Sequence, residues 1–245
     1  MNCIFCKKTA LGASVSHILP ESLGGEQWAC LPDGLVCSEC NQYFGEKVES
    51  KALASFPFLP FRLLLGIPTK KGRASTMRTH LGTLQSDVSP GYIGIDPCSS
   101  EIETAINAGK ISQIRIIAEP TEPLAIARML VKMGLEVVAA DSTDDPLDPK
   151  FDSARKFSRS PERGTNWWWF LGIDHARLFA KFRDGITMRE WQQGVSLSVH
   201  QLHECEVFRL QLLDMVIFTP LDMRVAPPDM SEFPEPNNRL FEVTC

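Results

Sequence analysis

Apolar residues recur at helical spacing most clearly between Thr121 and Ala140, where "TEPLAIARMLVKMGLEVVAA" repeats them through Leu124, Met129, Leu130 and Val137 behind an early Pro123. This pattern predicts the best helix of the chain, opened by Thr121 and by a proline whose fixed φ suits a first turn, and slightly weakened by Gly134. Upstream, "ISQIRIIA" (Ile111 to Ala118) is β-branched and alternating, which predicts a strand. From Trp167 onward strand signals dominate: "WWWFLGI", "ARLFAKF", "SLSVHQL" and "VFRLQLLDMVIFTPL" are separated by Asp, Gly and Gln turns and read as an antiparallel meander. A short helix is predicted from Phe151 to Ser158, with Arg155 and Lys156 on its exposed side, after the acidic turn "DSTDDPLDPK". The tail "APPDMSEFPEPNN" is proline-rich and irregular, and no internal repeat is found.

The first fifty residues have a different character. They are loop-rich and mildly acidic, with Lys7, Lys8 and Lys47 outnumbered by Glu21, Glu26, Asp33, Glu39, Glu46 and Glu49. A unit this small needs a staple to hold a fold. Next comes the most basic stretch, Ala52 to Ser86, which has no Asp or Glu and carries Arg62, Lys70, Lys71, Arg73 and Arg78. Pro57, Pro60 and Pro68 divide "SFPFLPFRLLLGIPTKKG" into short pieces, so this part reads as a docking segment leading into a strand near 75–85. The expected architecture is α+β: an N-terminal module over residues 1–55, then an α+β region over 56–245 with an antiparallel sheet.

Composition narrows the class. A chain of 245 residues that is 44% hydrophobic can bury a core, which excludes a disordered protein. No apolar stretch near the start is long enough for a signal peptide or membrane span, so a soluble, cytoplasmic protein is expected. A net charge of −5 argues against attraction to nucleic acid by the whole surface but permits a local basic patch such as 62–78.

Eight cysteines include two Cys-x-x-Cys pairs, Cys3 with Cys6 and Cys37 with Cys40. In a cytosolic chain this spacing points to a tetrahedral zinc site with four thiolate ligands, because a two-residue spacer lets both sulfurs of one turn face one ion. Two disulfides or four unrelated buried thiols are the competing readings. Cys30, Cys98, Cys205 and Cys245 are left over as buried or incidental thiols.

The zinc frame encloses "SHILPESLGG" and closes on "CSECN". This combination resembles the HNH endonuclease family in its zinc-stabilised branch, over residues 1 to about 50, and implies a core of two strands and a helix gripping one catalytic metal (ββα-metal). The resemblance implies that His17, at a strand end, is the general base for attack of water on a phosphodiester. It also implies that Asn41, at the start of the helix after Cys40, binds a divalent cation such as Mg²⁺ or Mn²⁺. The chemistry calls for this pairing independently: a neutral histidine activates water and a cation relieves charge on the leaving oxygen, whereas a closed thiolate site does neither and serves structure. An isolated histidine would instead read as a core or capping residue. Family members commonly place an acidic metal ligand immediately before the histidine, and here that position is Ser16, a neutral hydroxyl. The family's middle asparagine, which orients the histidine, has no obvious counterpart, and Asp33 is the candidate for that role. Pro20, Gly24 and Gly25 suit a tight loop after the histidine, either as an ordinary turn or as a backbone approach to phosphate.

Other constellations carry less. His200 and His203 on a strand would point to opposite faces. Trp167, Trp168 and Trp169 could stack on bases but alternate faces, which favours the core. Arg155, Lys156, Arg159 and Arg163 form a second basic cluster, either a solvated surface or phosphate contacts. The leading expectation is a metal-dependent endonuclease acting on nucleic acid, DNA foremost, in a prokaryotic role such as defence, with Arg62, Lys70, Lys71, Arg73 and Arg78 on phosphates. The rivals are a zinc-stabilised module that grips nucleic acid without cutting it and an interaction protein built on the C-terminal sheet.

Overall fold

Residues 1–9, 14–68, 72–86, 91–111, 119–141, 144–202, 205–235 and 237–245 are described by a computed structural model. The strand predicted from Ile111 to Ala118 lies, beyond its first residue, outside these ranges. Among the described residues two antiparallel sheets and a set of helices make an α+β fold.

The N-terminal module runs through a turn at residues 3–8 and a strand-like segment around His17 to the helix α1 (Ser38–Phe44). A π-helical turn, Gly45–Glu49, passes α1 into the short α2 (Ser50–Ala52). The proline-broken segment then forms a real helix, α3 (Phe58–Leu65). Pro60 is tolerated because it is the third helical residue, where the missing N–H has no intrahelical acceptor to lose. Phe58, Phe61, Leu63 and Leu65 turn inward, so this stretch is packed framework and not a loose docking segment. The strand expected near 75–85 is a hairpin, β1 (Thr76–Thr79) and β2 (Gly82–Ser86), which β3 (Ile93–Pro97) extends to a three-stranded meander followed by α4 (Ser100–Asn107).

The long helix predicted from its periodicity is α5 (Pro123–Asp141). The Ser55 hydroxyl accepts from the N–H groups of Thr121 (2.8 Å) and Glu122 (3.3 Å) just ahead of it, which ties its start to the N-terminal module. It is buried on nearly all sides, as expected of an element covered all round. On one side lie α2 and the π turn, on another α6 (Asp152–Arg159), and on a third the large sheet. That sheet contains β4 (Asn166–Ile173), β5 (Val195–Leu202), β6 (Cys205–Leu212), β7 (Met215–Pro220) and β8 (Arg239–Thr244), in the order β5-β6-β7-β4-β8 and antiparallel throughout. One apolar core runs from Cys3 and Phe44 through α5 to Phe208 and Val243.

Two segments depart from what their sequence pattern predicts. "ARLFAKF" is the helix α7 (His175–Arg183), not a strand: Leu178 and Phe182, four residues apart, are the buried pair, and the Asp174 side chain caps the start by accepting from the Arg177 N–H. After it comes α8 (Met188–Gln193), opened by a Thr187–Glu190 capping box. Arg155 is not on the exposed side of α6 but buried, ion-paired with Asp152 and donating to the Pro146, Leu147 and Asp148 carbonyls. Among the described residues no helix is long and apolar enough to cross a membrane.

Gly134 is less a weakness of α5 than the condition for its packing. A Cβ built there would meet the Phe208 Cβ at 2.8 Å and Leu221 Cδ2 at 2.6 Å, so the helix approaches the sheet as closely as it does only because no side chain intervenes. Gly134→Ala should therefore destabilise the fold by about 1–3 kcal/mol despite the better helix propensity of alanine. The urea midpoint measures this, and an unchanged or raised midpoint would show that the contact yields freely.

Candidate metal centre and phosphodiester site

The turn carrying Cys3 and Cys6 is closed by backbone bonds from Lys7 N to Cys3 O and from Cys3 N to Lys8 O, both 2.8 Å. Cys37 is the N-cap of α1 and Cys40 lies in its first turn, and the Ile4 N–H donates to the Leu35 carbonyl at 2.9 Å, which docks one pair on the other. All four sulfurs lie within 4.8 Å of one another, and none is in a disulfide. Zinc–sulfur bonds of about 2.3 Å in a tetrahedron separate the sulfurs by about 3.8 Å. The Cys6 and Cys37 sulfurs are 3.8 Å apart. The donor set and spacing therefore fit a structural zinc. The thiols are close enough to act on one another: a hydrogen bond with Cys40 holds the Cys3 thiol down to about 4, and the same bond pushes Cys40 up.

The segment bearing Ser16 and His17 runs antiparallel to residues 29–31, joined by Ile18 N to Ala29 O (2.7 Å) and Leu31 N to Ser16 O (2.9 Å) around a His17–Cys30 bridge. Asn41 of α1 reaches across to it. Its amide nitrogen donates to the Val15 carbonyl (3.0 Å) and Ser14 Oγ (3.3 Å), which leaves Oδ1 facing Ser16 Oγ at 3.5 Å. The fold thus brings together His17, Ser16 and Asn41, and the helix presenting Asn41 is the one that Cys37 and Cys40 anchor.

The histidine is partly exposed, and its Nε2 lies 3.4 Å from Glu21 Oε1, four residues on. Asp33, the expected orienting carboxylate, is exposed, and the carboxylate beside the ring is that of Glu21. Gly24 and Gly25 serve the turn itself. Gly24 has φ +79° and a Cβ there would meet the Trp191 indole nitrogen at 2.8 Å, while one on Gly25 would strike the Leu19 carbonyl at 1.8 Å. The Trp191 N–H caps this loop by donating to Leu23 O at 3.0 Å.

Ser16 is buried and donates to a residue the sequence reading passed over: its hydroxyl lies 2.7 Å from Glu136 Oε1, on α5. Glu136 is fully buried beside Lys132, whose ammonium is 2.8 Å from Glu136 Oε2, 2.9 Å from Glu49 Oε1 on the π turn, and 2.8 Å from the backbone carbonyl of His17. The ammonium thus donates to a backbone carbonyl and stands in ion-pair contact with two carboxylates. Burial lifts the Glu136 carboxyl to about 7 against the pull of Lys132 and Ser16. Burial also works against the Lys132 ammonium, but Glu136 and Glu49 outweigh it and hold it above the ordinary lysine value. The signal was present in the sequence as a Lys-x-x-x-Glu pair inside a predominantly apolar helix.

The remaining candidates separate. Arg73 and Arg78 are exposed, Lys70 and Lys71 lie outside the described residues, and Arg62 donates inward to the Leu53 carbonyl at 3.1 Å with its Nε buried. The three tryptophans are buried: Trp167 stacks on Phe157, Trp169 stacks on Phe241, and the Trp168 N–H bonds to Val225 O, so none is free for a base. In the second basic cluster Arg159 lies over the Tyr43 ring at 3.7 Å and pairs with Glu39, Lys156 pairs with Glu162, and Arg163 is exposed. His200 is exposed beside Ser198, while His203 lies outside the described residues.

Residues 3–57 match the HNH endonuclease family model. The N-terminal part of the chain is thus an HNH-family module with a four-cysteine cluster, and nuclease chemistry attaches to it at the level of that family. No curated protein and no solved structure matches the chain.

One equivalent of zinc per chain is expected by elemental analysis. Cys37→Ala should release it and leave residues 1–57 open to protease, since the binding free energy of such a site, on the order of 10 kcal/mol, is folding free energy for a unit this small. Retained zinc and unchanged protection would refute the four-thiolate assignment.

Proposed function

We propose that the chain is a metal-dependent endonuclease that hydrolyses phosphodiester bonds of nucleic acid, DNA foremost, with His17 as general base. The observation that carries this reading is the bonding of the Ser16–His17 segment to Asn41, the first residue after the four-cysteine frame, by Asn41 Nδ2 to Val15 O at 3.0 Å. His17 accepts a proton from a water aimed at the phosphorus. Glu21 beside Nε2 favours a proton on that nitrogen, which leaves Nδ1 as the basic atom. Asn41 Oδ1 and Ser16 Oγ, 3.5 Å apart, suit a shared oxygen-preferring cation such as Mg²⁺ or Mn²⁺. Such an ion would neutralise charge on the phosphate and the leaving oxygen. Because Ser16 gives its proton to Glu136, its lone pairs are left for that cation, and a carboxylate stands one hydroxyl behind it. Ser16 and Asn41 are neutral ligands, so they would hold such a cation weakly in the absence of phosphate oxygens.

A second reading rests on the same serine. It is buried and bonded to α5, and a module that has lost the acidic ligand could grip nucleic acid without cutting it. Plasmid cleavage by the purified protein with added Mg²⁺ or Mn²⁺ separates the two. Cutting should fall by at least about 100-fold in His17→Ala, the scale of a missing general base, with nucleic-acid affinity retained. Undiminished cutting by that variant would remove His17 from the mechanism, and binding without cutting by the wild type would favour the second reading.

The phosphate-contacting surface is assigned to Arg73 and Arg78 together with Lys70 and Lys71, and Arg62 is set apart by its inward bond to Leu53. Replacing Lys70, Lys71 and Arg73 by Gln should flatten the dependence of log affinity on log salt by roughly one unit for each phosphate no longer neutralised. An unchanged slope would place the nucleic acid elsewhere.

A further inference from the structure

We propose that Lys132 and Glu136 of α5 are positioning residues for His17, so that the nuclease site needs a helix well beyond the segment that matches the HNH family. This inference rests on the nuclease reading above.

The backbone around His17 is weakly held by its own neighbourhood. Among the described residues it is paired through a single bridge and two flanking bonds, too few to count as a strand. That pairing uses the Ser16 carbonyl and the Ile18 N–H and leaves the His17 carbonyl pointing the other way. Lys132 Nζ takes up that carbonyl at 2.8 Å, and Glu136 takes up the Ser16 hydroxyl at 2.7 Å. Two consecutive residues of the site are thus clamped by two residues one turn apart on one helix, itself immobilised between the module and the large sheet.

Packing alone does not ask for this arrangement. Buried ion pairs contribute little net stability compared with apolar residues of the same volume, because the desolvation of each charge offsets their attraction. Lys132 and Glu136 stand in a helix whose other inward residues are apolar. What a methionine could not do is bond a carbonyl. The polar pair fixes where the His17 backbone sits and which way Ser16 turns. A displacement of about 1 Å at a catalytic group can cost on the order of 100-fold in rate.

The test is the full chain carrying Lys132→Met with Glu136→Gln, which keeps volume, removes both charges and leaves Glu49 free to turn to solvent. Zinc content and thermal midpoint establish that it is folded. The expected result is a kcat lower by about 100-fold with KM within about twofold, together with a shifted or broadened His17 imidazole resonance, assigned among the five histidines by comparison with His17→Ala. A purely structural role would leave the kcat of folded protein and the His17 resonance at wild-type values, and that outcome overturns the inference. Should the double variant fail to fold, Glu136→Gln alone, isosteric and with Lys132 still paired to Glu49, is expected to show the same split with a smaller drop. Wild-type kcat and resonance in that variant would overturn the inference equally. If the wild type itself cuts nothing, the nuclease reading fails, and the His17 resonance alone then decides whether α5 sets the ring: unchanged refutes it, shifted supports it.

Discussion

A buried ammonium must have its charge balanced, and Lys132 draws on three separate parts of the chain for this and for its bond to a carbonyl. Glu136 comes from its own helix, Glu49 from the π turn after the cysteine frame, and the third acceptor is the His17 carbonyl. Removing Lys132 leaves the buried Glu136 carboxylate without its cation and the His17 carbonyl without its donor. The constraint works in both directions. Helix α5 cannot be buried as it is without the N-terminal module, and the module cannot hold its histidine segment as described without α5.

The module is therefore held at two ends by different chemistry. At one end four sulfurs converge within 4.8 Å and fix the turn of Cys3 and Cys6 against the first turn of α1. At the other end hydrogen bonds and ion pairs fix the histidine segment against α5. Asn41 links the two, since it sits one residue after Cys40 and bonds to Val15 and Ser14 beside the histidine. Further out, Tyr43 on α1 carries Arg159 on its ring face and bonds Arg128 through its hydroxyl at 2.7 Å, so α5 and α6 also grip the helix that presents Asn41. These interactions commit basic residues to structure. Arg128, Arg155 and Arg159 are engaged internally, and in an acidic chain the basic charge left for a polyanion is local.

Much of this was legible from local pattern. The paired Cys-x-x-Cys spacing, the enclosed histidine and the asparagine after Cys40 are short-range signals, and the chemistry of metal ligation restricts what they can mean. Helix α5 and the strands β4 to β7 followed from periodicity, because burying one face or all faces writes itself into the order of apolar residues. Where periodicity was ambiguous the reading failed. Leu178, Ala180 and Phe182 satisfy period two while Leu178 and Phe182 also satisfy helical spacing, and only the Asp174 cap distinguishes α7 from a strand.

The sequence by itself determined the identity of the metal-binding frame, the candidate base and the class of fold, since each depends on residues close together in the chain. Tertiary structure alone decided that Gly134 is a contact point with Phe208, that Arg62 and Arg155 face inward, and that Ser16 answers to Glu136 across 120 residues. Periodicity records how much of a residue is covered but not what covers it. A lysine and a glutamate one turn apart look like a solvated pair until the fold puts the module against them, and only then does their charge act on the histidine segment.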